Sequence, residues 1–298
     1  MPHLLCFGAG FSARALIPAL LRRGWTVTGT TRSTDKLADL EAQGMAARLW
    51  GGPADGVAAG LSQADLETVT HVLTSVPPGE TGDPVLAAFG ATLARRAERI
   101  AWVGYLSTTG VYGDHAGGWV DETTPVAPAS ERGRRRADAE AGWLALQRSH
   151  GLPVHVFRLA GIYGPGRNTL ETVRAGEARR IDKPGQVFSR IHVADIASVL
   201  SASMDRPCPG AVYNVCDDEP TPPQDVVAYA CTLLKVSPPP LMPFEAVAPT
   251  MSPMARSFYG ESKRCRNDRI KQELGVRLAY PSYREGLNAL LAALDPPA

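Results

Sequence analysis

Several things that would assign this chain of 298 residues to a common class are missing from it. No uninterrupted apolar run reaches the roughly 20 residues that span a bilayer. The N-terminus enters directly on a strand pattern, without the layout of a signal peptide, so a cytoplasmic protein with no membrane partner is expected. Cysteine is sparse: Cys6, Cys208, Cys216, Cys231 and Cys265 are scattered, with no Cys-x-x-Cys pair. Neither a disulfide framework nor thiolate metal ligation is expected. The six histidines form no His-x-x-x-His pair, so no metal site is expected from them either. Charge of one sign is lacking: 31 Lys and Arg stand against 30 Asp and Glu, for a net charge of +1. No general field recruits nucleic acid or an acidic surface. No internal repeat or low-complexity segment is visible. What remains is an ordinary globular composition, 44% hydrophobic and 20% charged, long enough for one large domain or two closely joined ones.

The first stretch with chemical content is Leu4-Leu5-Cys6-Phe7-Gly8-Ala9-Gly10-Phe11-Ser12-Ala13. An apolar run of strand length meets a Gly-x-Gly-x-x-Ala turn, and a helical pattern follows over 11–23. Dinucleotide-binding folds need this order. Gly8 allows the tight turn, Gly10 leaves room for a pyrophosphate, and Ala13 lets the helix pack on the strand. The phosphates would sit at the helix start, on the amides of Phe11, Ser12 and Ala13 and the positive end of the dipole. Pro18 should kink this helix or perturb its first turns. A second strand, Trp25 to Thr30, ends where such folds read the ribose. An acidic residue there would bind the 2′-hydroxyl of NAD. Thr31, Arg32 and Ser33 stand there instead, a set suited to a 2′-phosphate, so NADP is expected rather than NAD. Arg32 pointing only at solvent is the alternative.

Strand and helix patterns go on alternating. Ser33 or Thr34 can cap a helix to about Gln43, followed by a strand over Met45 to Trp50 and a Gly/Ala-rich loop over Gly51 to Gly60. A fourth strand, Thr70 to Val76, makes Ser75 a candidate cofactor contact. A helix over Asp83 to Glu98 and a fifth strand over Ile100 to Leu106 follow. This alternation predicts an α/β protein with a doubly wound parallel sheet of Rossmann type.

The fifth strand runs into Leu106-Ser107-Thr108-Thr109-Gly110-Val111-Tyr112-Gly113. This resembles the Ser-Ser/Thr-x-x-Val-Tyr-Gly stretch of extended short-chain dehydrogenases/reductases, the group that includes nucleotide-sugar epimerases and dehydratases. Asp121-Glu122 with Pro125, the run Phe157 to Gly166, Ile191 to Ala197, Val212 to Val215 and Tyr280 to Leu287 resemble later motifs of that family in its order. The resemblance covers essentially the whole chain. It implies a seven-stranded sheet in a dinucleotide-binding domain over 1–165, rejoined by about 188–216. It also implies a smaller C-terminal α/β substrate lobe from 166–187 and 217–298, entered through the Pro-rich stretch Val236 to Pro253. Many members pair through two helices of the cofactor domain, so a homodimer is one expectation.

The chain departs from the family at one place. Members carry Tyr-x-x-x-Lys after the fifth strand. The tyrosine moves a proton, and the lysine binds ribose and lowers the tyrosine pKa. In register, Arg132 stands at the tyrosine position and Arg136 at the lysine position. No tyrosine occurs between Tyr112 and Tyr163, and no lysine between Lys36 and Lys183. Arginine does not give up a proton near neutral pH. Arg136 can still bond ribose hydroxyls, and Arg132 can clamp a carboxylate or phosphate. The same run also reads as a solvated charged helix face. The resemblance makes Thr108 the residue that polarises a substrate oxygen. Tyr112, Tyr163, Asp114 and His115 are weaker proton carriers, and His192 is expected to tether a loop between the lobes. Two readings follow. One is an atypical NADP-dependent enzyme on a small polar substrate, anionic or nucleotide-linked. The other is a non-catalytic NADP(H)-binding redox sensor or scaffold.

Overall fold

Strands covered on both faces read as near-continuous apolar runs, and β1 (His3–Phe7) is buried from Leu4 onward. It is flanked by β2 (Thr26–Thr31) and β4 (His71–Thr74). The computed structural model describes residues 1–52 and 60–294. Its central sheet adds β3 (Ala46–Leu49), β5 (Trp102–Thr108), β6 (Val154–Leu159) and β7 (Val212–Val215). All seven strands are parallel, in the order β7-β6-β5-β4-β1-β2-β3. The expected Rossmann-type α/β architecture and its seven strands are present. The direction of winding reverses at β1 and β4, which opens a crevice at their carboxyl ends.

Side chains alternate across the sheet. Leu4 and Cys6 enter a core with Leu16, Ile17 and Leu20 of α1 (Phe11–Arg22) and Ile196, Val199 and Leu200 of α6 (Val193–Asp205). Leu5 and Phe7 enter the opposite core with Phe89 of α3 (Pro84–Arg95) and Trp143 of α4 (Glu131–His150). Asp83 caps α3 by accepting from the Val85 and Leu86 amides, and Ser130 caps α4 by accepting from Gly133 N.

Some boundaries differ from the sequence reading. α1 ends at Arg22, one residue short of the helix expected over 11–23, with Pro18 inside it as expected. The helix expected from Ser33 or Thr34 is a 3-10 turn over Thr34–Lys36, then a short α2 (Leu37–Ala42), and the Ser33 side chain caps neither. The helix expected to Glu98 stops at Arg95 and gives way to a 3-10 turn over Ala97–Arg99. Of the expected Gly51–Gly60 loop, residues 53–59 lie outside the described residues.

Outside the sheet, α5 (Thr169–Arg174), α7 (Pro223–Leu234) and α8 (Tyr283–Leu294) share a third apolar cluster of Leu170, Val226, Ala230, Tyr283 and Leu287. The fully buried Asp195 of α6 accepts from the amides of Ala279 and Tyr280 and so anchors the tail. A two-residue parallel pairing of Arg264–Cys265 with Trp119–Val120 brings the tail beside the loop after β5. No described helix is long and apolar enough to cross a membrane.

Candidate functional site

The Gly-x-Gly turn is sewn to both neighbouring strand ends. Gly8 has φ +79, and a Cβ there would lie 3.0 Å from Ser75 Oγ and 3.1 Å from Val76 Cγ2. A side chain is excluded twice, by conformation and by space. The Gly8 amide donates to Thr30 Oγ1 at 2.9 Å, and Ser75 Oγ donates to the Gly8 carbonyl at 2.5 Å. Gly10 differs: a Cβ there would meet nothing nearer than 3.9 Å. Gly10 opens α1 without any side-chain cap, no acidic residue stands in the first turn, and the first helical bond is Arg14 N to Gly10 O. The amides ahead of Arg14 thus face an open, uncapped and positive helix end, which fits a pyrophosphate. Ala13 is fully buried where α1 meets the sheet.

At the end of β2, Thr31 Oγ1 accepts from the Ser33 amide at 3.2 Å, while Arg32 is exposed. These three residues sit beside the turn but outside the large cleft described next.

That cleft, about 1010 Å³, runs from Gly10, Phe11, Ser12 and Ser75 past Thr108 to Arg132 and Arg136. Residues four apart share one helix face, so α4 turns both arginines toward it. Arg136 is buried and donates from Nη1 to the Leu106 carbonyl at 2.6 Å, with its guanidinium 5.8 Å from the Tyr105 ring centroid. Arg132 is exposed and makes no hydrogen bond or ion pair among the described residues. The rest of the arginine run is a solvated face: Arg134 and Arg135 both pair with Glu131, at 2.8 and 3.2 Å. Thr108 Oγ1 accepts from Gly110 N at 3.1 Å and donates to nothing among the described residues.

Behind the cleft lies a buried network that motif reading missed. Arg158 on β6 grips Glu140 of α4 at 2.8 Å, and Ser107 Oγ donates to the same carboxylate at 2.5 Å. Arg158 Nη1 also donates to Tyr112 Oη, which donates to Asn214 Oδ1. The signal was present: a charge inside the apolar strand Val154–Leu159 demands a buried partner. Tyr112 is locked into this network, and burial pushes its phenol up to about 12. It serves structure and not the cleft.

Other sequence candidates are committed as well. Tyr163 lines the cleft but donates to the Ser282 carbonyl. Asp114 accepts from the amides of Ser262 and Ala116, which hold its carboxyl below the usual range. His115 Nε2 lies 3.2 Å from the Tyr112 carbonyl. His192 caps α6 and packs against the rings of Tyr280 and Tyr163, consistent with a tether. Burial lowers its pKa to about 4.

Sequence reading also missed the tail. Tyr259 and Lys263 line the same cleft. Lys263 Nζ donates to the Gly113 carbonyl at 2.7 Å and to Glu261 Oε2 at 2.6 Å. Only the fold brings residues about 120 positions past α4 to this place.

Comparison with known proteins agrees with this fold. Residues 5–216 match the profile of a family described as NAD dependent epimerase/dehydratase. The chain is 29% identical over 295 residues to Protein YeeZ of Escherichia coli (strain K12), covering 94% of this chain and 97% of the relative. It is 27% identical over 312 residues to a 3-diazoavenalumate denitrifying reductase of Streptomyces sp, covering 96% and 99%. Among solved structures, a conserved protein of unknown function from Silicibacter pomeroyi superposes with a TM-score of 0.90 at 56% identity, covering 99% of this chain and 100% of that one. A dTDP-glucose 4,6-dehydratase from Bacillus anthracis, solved with NAD, gives a TM-score of 0.75 at 18% identity, covering 99% and 97%.

Proposed function

Because this chain belongs to the NAD dependent epimerase/dehydratase family, we propose that it is an NADP(H)-dependent oxidoreductase or epimerase/dehydratase-like enzyme. Its substrate is small and polar, and is anionic or nucleotide-linked. The observation that carries this reading is one continuous cleft from the uncapped start of α1, past Thr108, to Arg132 and Arg136. A bound nicotinamide supplies hydride transfer there.

The chain's own residues divide the remaining work. The amides of Phe11, Ser12 and Ala13, behind Gly8 and Gly10, hold the pyrophosphate. Thr31, Arg32 and Ser33 take the 2′-phosphate, and Ser75 borders the adenosine side. Arg136 keeps N–H groups beyond its bond to Leu106 for ribose hydroxyls. Thr108 donates to the substrate oxygen, and the exposed Arg132 clamps a carboxylate or phosphate. Residues 1–165 and 188–216 form the cofactor domain, and 166–187 with 217–298 the substrate lobe. An apolar groove between α3 and α4, lined by Leu86, Gly90, Ala94, Gly142 and Leu146, supports a homodimer through those helices. The enzyme works in the cytoplasm.

Calorimetric titration with NADP+, NADPH and NAD+ tests the reading. The two phosphorylated forms bind more tightly than NAD+, and a panel of organic acids and nucleotide sugars then changes the nicotinamide absorbance. Absence of affinity for every dinucleotide overturns it. A second reading, a redox sensor or scaffold without catalysis, is favoured by arginines that cannot release protons where the family carries tyrosine and lysine. Unequal affinity for NADP+ and NADPH, with no substrate-dependent absorbance change, would establish it instead.

A further inference from the structure

Reduction of a carbonyl needs a proton donor, and most ionisable groups of the cleft are already committed. Glu131 pairs with Arg134 and Arg135, and Glu261 with Lys263. Tyr163 donates to Ser282 O. The buried Cys265 thiol is pushed up to about 11. The arginines hold their protons too tightly. Two phenols remain, Tyr283 and Tyr259. Tyr283 is 2% exposed and packed inside the third apolar cluster. Tyr259 is half-buried, lines the cleft, and its hydroxyl has no hydrogen-bond partner among the described residues.

The segment carrying Tyr259 is fixed from several sides. Its ring stacks on Phe244 at 5.2 Å and meets Phe188 edge-on at 5.6 Å. Its carbonyl accepts from the Lys183 ammonium. Just beyond it, Gln186 donates to Glu261 O, Ser262 Oγ donates to Gly185 O, and Ser262 N donates to Asp114. Lys263, four residues on, ties the segment to Gly113. The phenol is therefore presented by a rigid mount rather than by a free tail.

We propose that Tyr259, delivered from the C-terminal tail, is the proton donor of this cleft. The inference rests on the NADP(H) reading above. In the step, hydride passes from the reduced nicotinamide to a carbonyl carbon and the C=O π pair moves to oxygen. Tyr259 Oη gives that oxygen its proton, and the phenolate regains one from water. One carbonyl compound, one reduced nicotinamide and one proton become one alcohol and one oxidised nicotinamide. The charged groups facing Tyr259 are Arg190 across the cleft with Asp217 behind it, Lys183 at the Tyr259 carbonyl, and Glu261 and Lys263 on its own segment. Arg190 favours the phenolate, while burial outweighs it and holds the phenol above its ordinary range.

The test needs no substrate. The tyrosinate absorption band is titrated with pH in the free protein, in the NADP+ complex, and in the complex with 2′-phospho-ADP-ribose, which lacks the nicotinamide. A positive ring beside the phenol lowers its pKa by about one to two units. One tyrosine should shift down with NADP+ and not with the truncated ligand. Tyr259→Phe, which keeps the ring contacts, should abolish that shift, while Tyr163→Phe and Tyr283→Phe keep it. Calorimetry on the same samples separates the failures. No NADP+ binding removes the cofactor reading and this one with it. Binding with no shift, or a shift that survives Tyr259→Phe, overturns this inference alone.

Discussion

Arg136 donates to the Leu106 main-chain carbonyl at 2.6 Å, so a cleft-facing side chain of α4 also closes a bond to β5. Arg132, one turn earlier on the same face, closes none among the described residues. The two should separate experimentally. Arg136→Met leaves the Leu106 carbonyl without its partner and should lower unfolding free energy by about 1–3 kcal/mol. Arg132→Met should stay within about 0.5 kcal/mol of the parent while weakening binding of an anionic substrate. Urea unfolding of both variants checks the first half, and calorimetry the second.

The two glycines of the turn should also part company. Gly8→Ala meets a positive φ and the Ser75 hydroxyl, and should destabilise by more than about 1 kcal/mol. Gly10→Ala projects into open space and should leave stability within about 0.5 kcal/mol. It should still cut NADP+ affinity by about tenfold or more, because the methyl group enters the space proposed for the pyrophosphate. Thermal melts beside NADP+ titrations distinguish the two effects. Unchanged affinity in Gly10→Ala would sink the pyrophosphate assignment.

Arg32 carries the proposed choice between cofactors. Arg32→Glu should weaken NADP+ at least tenfold and leave NAD+ equal or tighter, since a carboxylate repels a 2′-phosphate and accepts from a 2′-hydroxyl. Equal loss for both cofactors would refute the 2′-phosphate contact.

Arg158 and Glu140 form a buried pair whose separation is costly. Arg158→Met strands the Glu140 carboxylate and should destabilise by about 3–5 kcal/mol. Pairing it with Glu140→Leu should recover part of that loss. A double-mutant cycle in denaturant measures the coupling, and strict additivity would show that the network is not cooperative.

Protonation of buried histidines should cost the fold stability in mild acid. His155 Nε2 accepts from the Cys208 amide at 2.9 Å and its Nδ1 lies 3.3 Å from the Val103 carbonyl. Burial depresses its pKa, like that of His71, to about 4. A histidine depressed in the folded state binds its proton more readily when unfolded. Its contribution is therefore present above about pH 6.5 and is lost as pH falls toward 4. The buried His155 alone accounts for at most about 3 kcal/mol of that loss. Melting temperatures of parent and His155→Leu, compared from pH 7.5 to 4, should converge. The variant starts less stable at neutral pH and lacks the His155 part of the acid loss. The buried Asp217 carboxyl, its pKa raised by burial to about 8, acts with the opposite sign in both proteins.

What the amino-acid order determined by itself was local or periodic. Continuous apolar strands, the Gly-x-Gly turn and the alternation of strand and helix fixed the sheet, because each depends on residues within a few positions of one another. The i,i+4 spacing also put Arg132 and Arg136 on one helix face. Tertiary structure alone decided which of that pair is bonded and which stands open, that Arg158 lies against Glu140, and that Tyr259 and Lys263 line the same cleft as Thr108. Those relations join residues 18 or more positions apart, where no periodicity signals contact. Burial and the need to pair each desolvated polar group set them.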